Sequence, residues 1–444
     1  MNSSSLAGHA IELLNKIVGT NLDRERNSLP ADKIIADFYK QRRYFGSHDR
    51  RWVTEKVYSI IRNFIFIKEL SKLCLSNRDA LGTFLIHEIK FAGMKEDKLR
   101  SDYSQLLETY RLSGREIDLE NLVARVNDAA IKLASDPANY SLVNSFPDFF
   151  CELLPPNIKR NCISIMTALN RKARVCVRVD TTKISRERAM AYFGDHGIET
   201  SFSEFSPFGI YLSKRINLNS IGLYKEGSIE VQEEASQLVG LIVDPQEGET
   251  IVDACAGAGG KSLELATLSE GKSKIFALDV DEERLNSLRA RAERSGYKNI
   301  AATKVSNDDF TGVEMLIGVA DKVIVDAPCT GSGTIRRNPD KKFRLTKLSV
   351  EKQAVYQKRL LEDYSQLVKV GGLLFYVTCS IFEEENQAVV NYFLDSIQNF
   401  RKVDVSTMLV DPKFENMMGD GFLAIYPHRY EMDGFFVAVM ERVS

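Results

Sequence analysis

One short stretch limits what this chain can fold into more than any other. Thr250-Ile-Val-Asp253 has the apolar run of a buried strand and leads directly into Ala254-Cys-Ala-Gly-Ala-Gly-Gly-Lys261, a glycine-rich turn opening onto the helical pattern Lys261 to Leu268. Glycines here let the backbone approach a ligand closely and aim helix N-terminal amides at it. The next strand, Lys274 to Val280, carries Asp279 near its end, where a carboxylate can accept both hydroxyls of an adenosine ribose. The alternation continues with a helix over Glu282 to Ser295, a strand over Lys322 to Asp326 and a long helix over Val350 to Val370. A strand over Leu373 to Val377 and a helix over Glu383 to Leu394 follow. Residues 244–444 are therefore expected to form a mostly parallel, doubly wound α/β sheet of the Rossmann type.

Such a turn with a downstream acid could also hold a nicotinamide dinucleotide. That fingerprint needs a third glycine or alanine three residues after the second. Counting from Gly257 and Gly259, the position is Ser262, which weakens the dehydrogenase reading. A Walker-type phosphate loop fails on its spacing. Further acids, Asp308 or Asp309 and then Asp326, stand at or near the next strand ends. In a doubly wound sheet they would ring one pocket, with Asp308 placed to meet an adenine amino group.

The seven cysteines are an odd number, scattered and without a Cys-x-x-Cys pair, so reduced thiols are expected and neither a disulfide framework nor a metal site. The five histidines are equally dispersed, which gives a histidine base little support. With 59 Lys and Arg against 61 Asp and Glu, a nucleic-acid partner would have to be met by local patches. The polar start Met1 to Ala10 carries no secretory pattern, and no run reaches the roughly 20 apolar residues of a spanning helix. A cytoplasmic location is expected, and a monomer.

At 444 residues the chain has room for two or three domains. Residues 1–145 read as all-helical, with apolar faces through Ile34 and Phe38, through Val57, Ile60, Ile61 and Phe64, and through Leu122, Val123, Val126 and Ala130. The basic-aromatic segment Lys40 to Trp52 suits either RNA contact or a solvated helix end with aromatics in the core. Pro147 and Pro155-Pro156 suggest a boundary near residue 145. A small α+β region, 146–243, follows. Its strand Ala173 to Val179 should bury valines and expose Arg174, Cys176 and Arg178, and a helix follows over Ser185 to His196.

Two sequences carry the chemistry: Val325-Asp-Ala-Pro-Cys-Thr-Gly-Ser-Gly333 and Tyr376-Val-Thr-Cys-Ser380. Both Cys329 and Cys379 closely follow parallel strands. If those strands are neighbours, both thiols project from the sheet edge that carries the glycine turn. A lone strand-end cysteine is more often a small buried hydrophobe; two beside a nucleotide-like pocket, one in Asp-Ala-Pro-Cys, point to covalent chemistry. Carbon 5 of cytosine is a poor nucleophile until a thiolate adds at carbon 6, and the adduct must then lose its carbon-5 proton and expel the thiol. Two thiols and Asp326 supply that kit. A paired target base would have to be flipped or already unpaired. Cys255, inside the turn, reads as scaffolding.

At these residues the chain resembles the Nop/Sun family of RNA cytosine-5 methyltransferases, in particular its bacterial Sun, RsmB-type, rRNA members. The likeness runs from about Arg174 to the C-terminus. It includes Val231-Gln-Glu-Glu-Ala-Ser236, the glycine turn, Asp279, Arg284-Leu285, Asp326-Ala-Pro-Cys329, Arg336-Arg-Asn-Pro339, Thr378-Cys-Ser380, Glu384-Glu-Asn386 and Asp433-Gly-Phe-Phe436. The resemblance implies a class I methyltransferase domain using S-adenosyl-L-methionine, with Cys379 as nucleophile, Cys329 assisting proton removal and release, and Asp326 contacting the cytosine. It implies a cofactor site formed by Ala254, Cys255, Ala256, Gly257, Ala258, Gly259, Gly260 and Lys261 with Asp279, Arg284, Asp308 and Asp326. Small-subunit rRNA is the expected substrate. A tRNA substrate, or a non-catalytic RNA-binding or ribosome-assembly factor retaining the fold, are the alternatives. RNA contacts are expected at Arg178, Lys183, Arg336, Arg337, Lys341 and Lys342, the last four in a basic run that suits phosphates. The first 145 residues look distantly NusB-like, which implies RNA binding by analogy. Two departures stand out: the usual proline of the turn is Ala258, and Asp180 stands where an asparagine is usual.

Overall fold

A computed structural model describes residues 1–22, 29–76, 79–112, 117–306 and 312–444. They form two compact units, one of residues 1–171 with 335–346, the other of 172–334 with 347–444.

The first unit is helical. The expected apolar faces lie on helices Ala31–Lys40, Ser47–Arg62, Phe64–Cys74 and Leu119–Ala134, and Phe38, Val57, Ile60, Ile61, Leu122, Val126 and Ala130 all reach its core. The helix Ser3–Leu22 supplies Leu6, Ala10, Leu13, Leu14 and Ile17 to the same core. In the basic-aromatic segment, Phe45 is buried against His9, whereas Tyr44 is exposed. This unit runs through Arg171, beyond the proline-marked position 145, because the 162–170 helix packs with it. Cys151 and Cys162 form a disulfide here, contrary to the expectation that all seven thiols are reduced; Cys74, Cys176, Cys255, Cys329 and Cys379 are not disulfide-bonded.

The basic run 335–346 also belongs to this unit, which changes its meaning. Arg336 and Lys342 are buried, against the expectation that they face RNA. The Lys342 ammonium donates to Arg62 O at 2.9 Å and to Asn170 Oδ1, and lies 3.9 Å from the centre of the Phe146 ring. Burial, and then the neighbouring Arg62 charge, hold its pKa well below the ordinary lysine value. Asp340 accepts from Ala31 N and from Arg344, fastening the run to the start of a helix. Arg337 and Lys341 are half-exposed.

The second unit holds two sheets. The smaller is antiparallel, of strands β1 (Val175–Val179), β2 (Thr200–Phe202), β3 (Gly209–Leu212) and β4 (Ile229–Val231) in the order β2-β3-β1-β4. The larger contains β5 (Thr250–Asp253), β6 (Lys274–Asp279), β7 (Ile300–Lys304), β8 (Ala320–Asp326), β9 (Val368–Thr378), β10 (Phe400–Val403), β11 (Met418–Gly419), β12 (Phe422–Ile425) and β13 (Phe435–Arg442). Its order is β11-β12-β13-β9-β8-β5-β6-β7, with β10 pairing β13. β7-β6-β5-β8-β9 are parallel neighbours, and β13 joins antiparallel to β9. The chain builds outward from β5 through β6 to β7, then returns to the other side of β5 as β8. That reversal creates a crevice at the carboxyl ends of β5 and β8, where doubly wound sheets bind ligands. The long helix ends at Ser365, short of Val370, because Val368 to Val370 open β9 instead.

Candidate active site

The glycine turn takes its shape from backbone bonds. Ala254 N donates to Ile324 O at 2.8 Å, and Ala256 N to Leu278 O at 2.9 Å, pinning the turn to both flanking strands. Gly257 and Gly259 have φ of +53° and +82°, left-handed conformations that side chains resist, and Gly259 caps the helix Gly260–Leu268. Asp279 accepts from Gly257 N and from Asp281 N, both at 2.8 Å, one bond to each carboxylate oxygen. Each oxygen keeps further acceptor capacity, which a pair of ribose hydroxyls would use.

A cavity of about 420 Å³ opens beside this turn, within the size range of ligand pockets. Ala254, Cys255, Asp279, Val280 and Arg284 line one side, and Leu360 and Tyr364 of the helix Lys347–Ser365 line another. The last two were not foreseen, because which helix face turns toward the crevice is set by packing. Asp308 lies outside the described residues. The Cys255 thiol is pushed well up by burial and then by the Asp326, Asp253 and Asp279 carboxylates, which suits an inert wall. Ser262, at the third-glycine position, donates to Asp253 at 2.6 Å. Burial raises that carboxyl to about 6.

The two cysteines follow the carboxyl ends of β8 and β9. β8 and β9 pair with Asp326 opposite Val377, so both strands end at the same level. Pro328, just before Cys329, lines the cavity, and the Sγ atoms of Cys329 and Cys379 stand 3.2 Å apart. Asp326 accepts from the Lys261 ammonium at 2.6 Å. Burial works against the charge on Lys261, but the Asp326 carboxylate outweighs it and holds the ammonium above the ordinary lysine value. Lys261, Asp326, Cys329 and Cys379 thus bring a cation, an acid and two thiols to one sheet edge.

Two of the expected RNA contacts of the second unit, Arg178 and Lys183, make internal contacts. Arg178 is buried instead of exposed, because β1 is an inner strand covered on both faces; Cys176 on the same face takes a 3.4 Å contact from Gln237 Nε2. Burial depresses the Arg178 pKa, partly offset by Glu264, Glu230 and Asp180. Lys183 donates to Gly227 O and Ser295 O at 3.0 and 2.7 Å, closing the C-terminal end of the helix Glu282–Ser295. Asp180, the departure noted above, accepts from Tyr297 Oη at 2.7 Å. Among the described residues no cluster of metal-ligating side chains occurs, and no helix is long and apolar enough to cross a membrane.

A parallel doubly wound sheet with one antiparallel strand beside β9, a glycine turn and an acid at the end of β6 defines a Rossmann-type methyltransferase domain. The family model described as 16S rRNA methyltransferase RsmB/F matches residues 240–441, and one described as the ferredoxin-like domain of RsmF/B-like methyltransferases matches 146–219. A probable ribosomal RNA small subunit methyltransferase B of Synechocystis is 31% identical over 67% of this chain and 67% of its own length. A probable methyltransferase B of Bacillus subtilis is 30% identical over 60% of this chain and 59% of its own, and a methyltransferase F of Vibrio parahaemolyticus 30% over 66% and 62%. The chain belongs to the RsmB/F methyltransferase family. Among solved structures, PH0851 is 26% identical with TM-score 0.77, covering 98% of this chain and 99% of that one. A methyltransferase homologue from Pyrococcus horikoshii is 27% identical with TM-score 0.58, over 69% and 99%.

Proposed function

We propose that this protein transfers a methyl group from S-adenosylmethionine to carbon 5 of a cytosine in RNA, small-subunit rRNA being the substrate, through a covalent bond to Cys379. The observation that carries the reading is the pair of thiols 3.2 Å apart beside the Asp279 cavity. The names of the curated relatives support an rRNA substrate. The cavity's size and its strand-end carboxylate fit an adenosine moiety, and the glycine turn offers backbone amides. Bound there, S-adenosylmethionine would supply an electrophilic methyl group.

In this reading the Cys379 thiolate adds to carbon 6 of the base, and the electron pair released toward carbon 5 makes that carbon the nucleophile. Asp326, held by Lys261, meets the polar edge of the cytosine and stabilises charge there. After methyl transfer, the Cys329 thiolate takes the carbon-5 proton. The carbon–sulfur bond to Cys379 then breaks, restoring the aromatic ring, with Cys379 leaving as the thiolate and Cys329 keeping the proton as a thiol. Nearness of the two sulfurs lets one sulfur act on the adduct of the other without rearrangement.

Bisulfite sequencing of total RNA from cells with and without this gene tests the reading. One cytosine in small-subunit rRNA is expected to lose protection when the gene is absent. A protected site in tRNA would move the substrate, and no change at any site would reject the activity.

A further inference from the structure

We infer that Glu385 is a positioning residue whose carboxylate clamps the two cysteine loops together and thereby sets the spacing of the reactive thiols. The inference rests on the covalent two-thiol reading above. Glu385 is fully buried, yet four hydrogen bonds converge on its carboxylate. Oε1 accepts from Thr330 N at 2.8 Å and from Gln357 Nε2 at 3.1 Å, and Oε2 accepts from Thr330 Oγ1 at 2.5 Å and Ser380 Oγ at 2.6 Å. Thr330 directly follows Cys329, and Ser380 directly follows Cys379. One carboxylate therefore grips the residue after each thiol. Gln357 extends the grip, donating also to Pro328 O at 2.9 Å, just before Cys329.

The surroundings make the clamp rigid. Tyr376 Oη donates to Glu385 O at 2.6 Å, and Asn386 accepts from Thr378 Oγ1 at 2.6 Å while donating to Ser380 O at 3.0 Å. Ser332 and Ser380 hydroxyls meet at 3.0 Å, and Gly333 N donates to Cys379 O at 2.9 Å. Burying a carboxylate is costly unless its acceptor sites are filled, and four donors fill them. A purely apolar filler at position 385 would pack the space but leave those donors unpaired. Glutamine keeps the shape but turns one of the two acceptor oxygens into an amide donor, so it cannot accept from both hydroxyls and from the Thr330 N–Gln357 Nε2 pair at once.

The test uses the full-length protein and two readouts. Phenylarsine oxide bridges thiols only when they are close together, and a single-thiol alkylating reagent reports each thiol by itself. Glu385→Gln is expected to weaken arsenical binding by roughly tenfold or more, with alkylation rates of the thiols retained. Methyl turnover should fall by about 100-fold, as for a misplacement of about 1 Å, and a larger share of enzyme should be trapped as protein–RNA adduct. Thr330→Val should give a smaller loss of the same kind, and it decides the matter if Glu385→Gln does not fold. Unchanged arsenical binding in the folded variant would overturn the clamp. If the wild type forms neither methylated RNA nor adduct, while its arsenical binding still depends on Glu385, the clamp stands and the proposed reaction falls.

Discussion

Cys329 Sγ and Cys379 Sγ, fifty positions apart in sequence, lie 3.2 Å from each other because β8 and β9 are adjacent parallel strands that end level. In the proposed reaction the two thiols would act as one unit with separable tasks. Cys379→Ala is expected to abolish both methylation and adduct formation. Cys329→Ala should let a covalent protein–RNA complex accumulate, visible as a denaturation-resistant shift on a gel. A complex formed by Cys379→Ala would mean that the two tasks are exchanged.

The Lys261–Asp326 pair gives a second expectation. Replacing the ammonium by Lys261→Met leaves a partly buried carboxylate without its cation, so charge developing on the base is less well met. Turnover should drop by about 100-fold or more, as for loss of one preorganised electrostatic group. Single-turnover kinetics at saturating RNA would show it; an unchanged chemical step would remove Lys261 from the reaction.

Asp279 should govern methyl-donor binding. Asp279→Ala removes the acceptor at the end of β6 and also releases Gly257 N. Titration calorimetry with S-adenosylmethionine should record an affinity about 100-fold weaker, equivalent to roughly 2.7 kcal/mol. Arg284→Ala, whose exposed side chain only borders the cavity, should have a far smaller effect.

Stability should decline as pH rises through the neutral range. Burial lifts the Glu264 carboxyl to about 7 and the Asp253 carboxyl to about 6, against ordinary values of 4.5 and 3.8. Between those values the folded state binds more protons than the unfolded one, so this contribution is complete at acid pH and is lost as pH climbs through 6 and 7. Glu264→Gln, still able to bond Gln232, should flatten the profile by on the order of 2 kcal/mol. Thermal unfolding from pH 5 to 8 would show it, and parallel profiles for the two proteins would contradict it.

Lys342 offers a contrast with phosphate-binding lysines. Lys342→Met should leave RNA affinity within about twofold and its salt slope unchanged, whereas removing a true phosphate contact lowers that slope by about 1. The same variant should unfold at a higher temperature near neutral pH, since no ammonium has to be buried. A reduced salt slope would return Lys342 to the RNA surface.

Much of this arrangement was readable before any coordinates. Thr250–Asp253 and Glu282–Ser295 form the expected strand and helix with the expected bounds, since each has a periodic apolar pattern and a clear start signal: glycines after the one, Asp281 before the other. The cysteine pair was legible because both residues sit at strand ends. What escaped depended on layers that sequence does not order. Arg178 alternates as an exposed residue should, but β1 is inner and covered, so the alternation misleads. Leu360 and Tyr364 meet the cavity through the rotation of a helix, which no motif records. The run 336–344 is basic in composition, yet Lys342 and Arg336 are taken up by helical packing. The antiparallel strands β10 to β13 carry no turn chemistry as strong as the glycine loop.

The return of residues 335–346 to the helical unit bears on how the chain is made. During synthesis the first 171 residues leave the ribosome long before Asp340 and Lys342, which fasten to Ala31, Arg62 and Asn170. At about 5–20 residues per second that delay lasts on the order of ten seconds or more. The helical unit therefore closes only after β8 and the Cys329 loop have been synthesised. A fragment cut at Arg171 would be an unfinished domain, with a cleft where its last strap belongs.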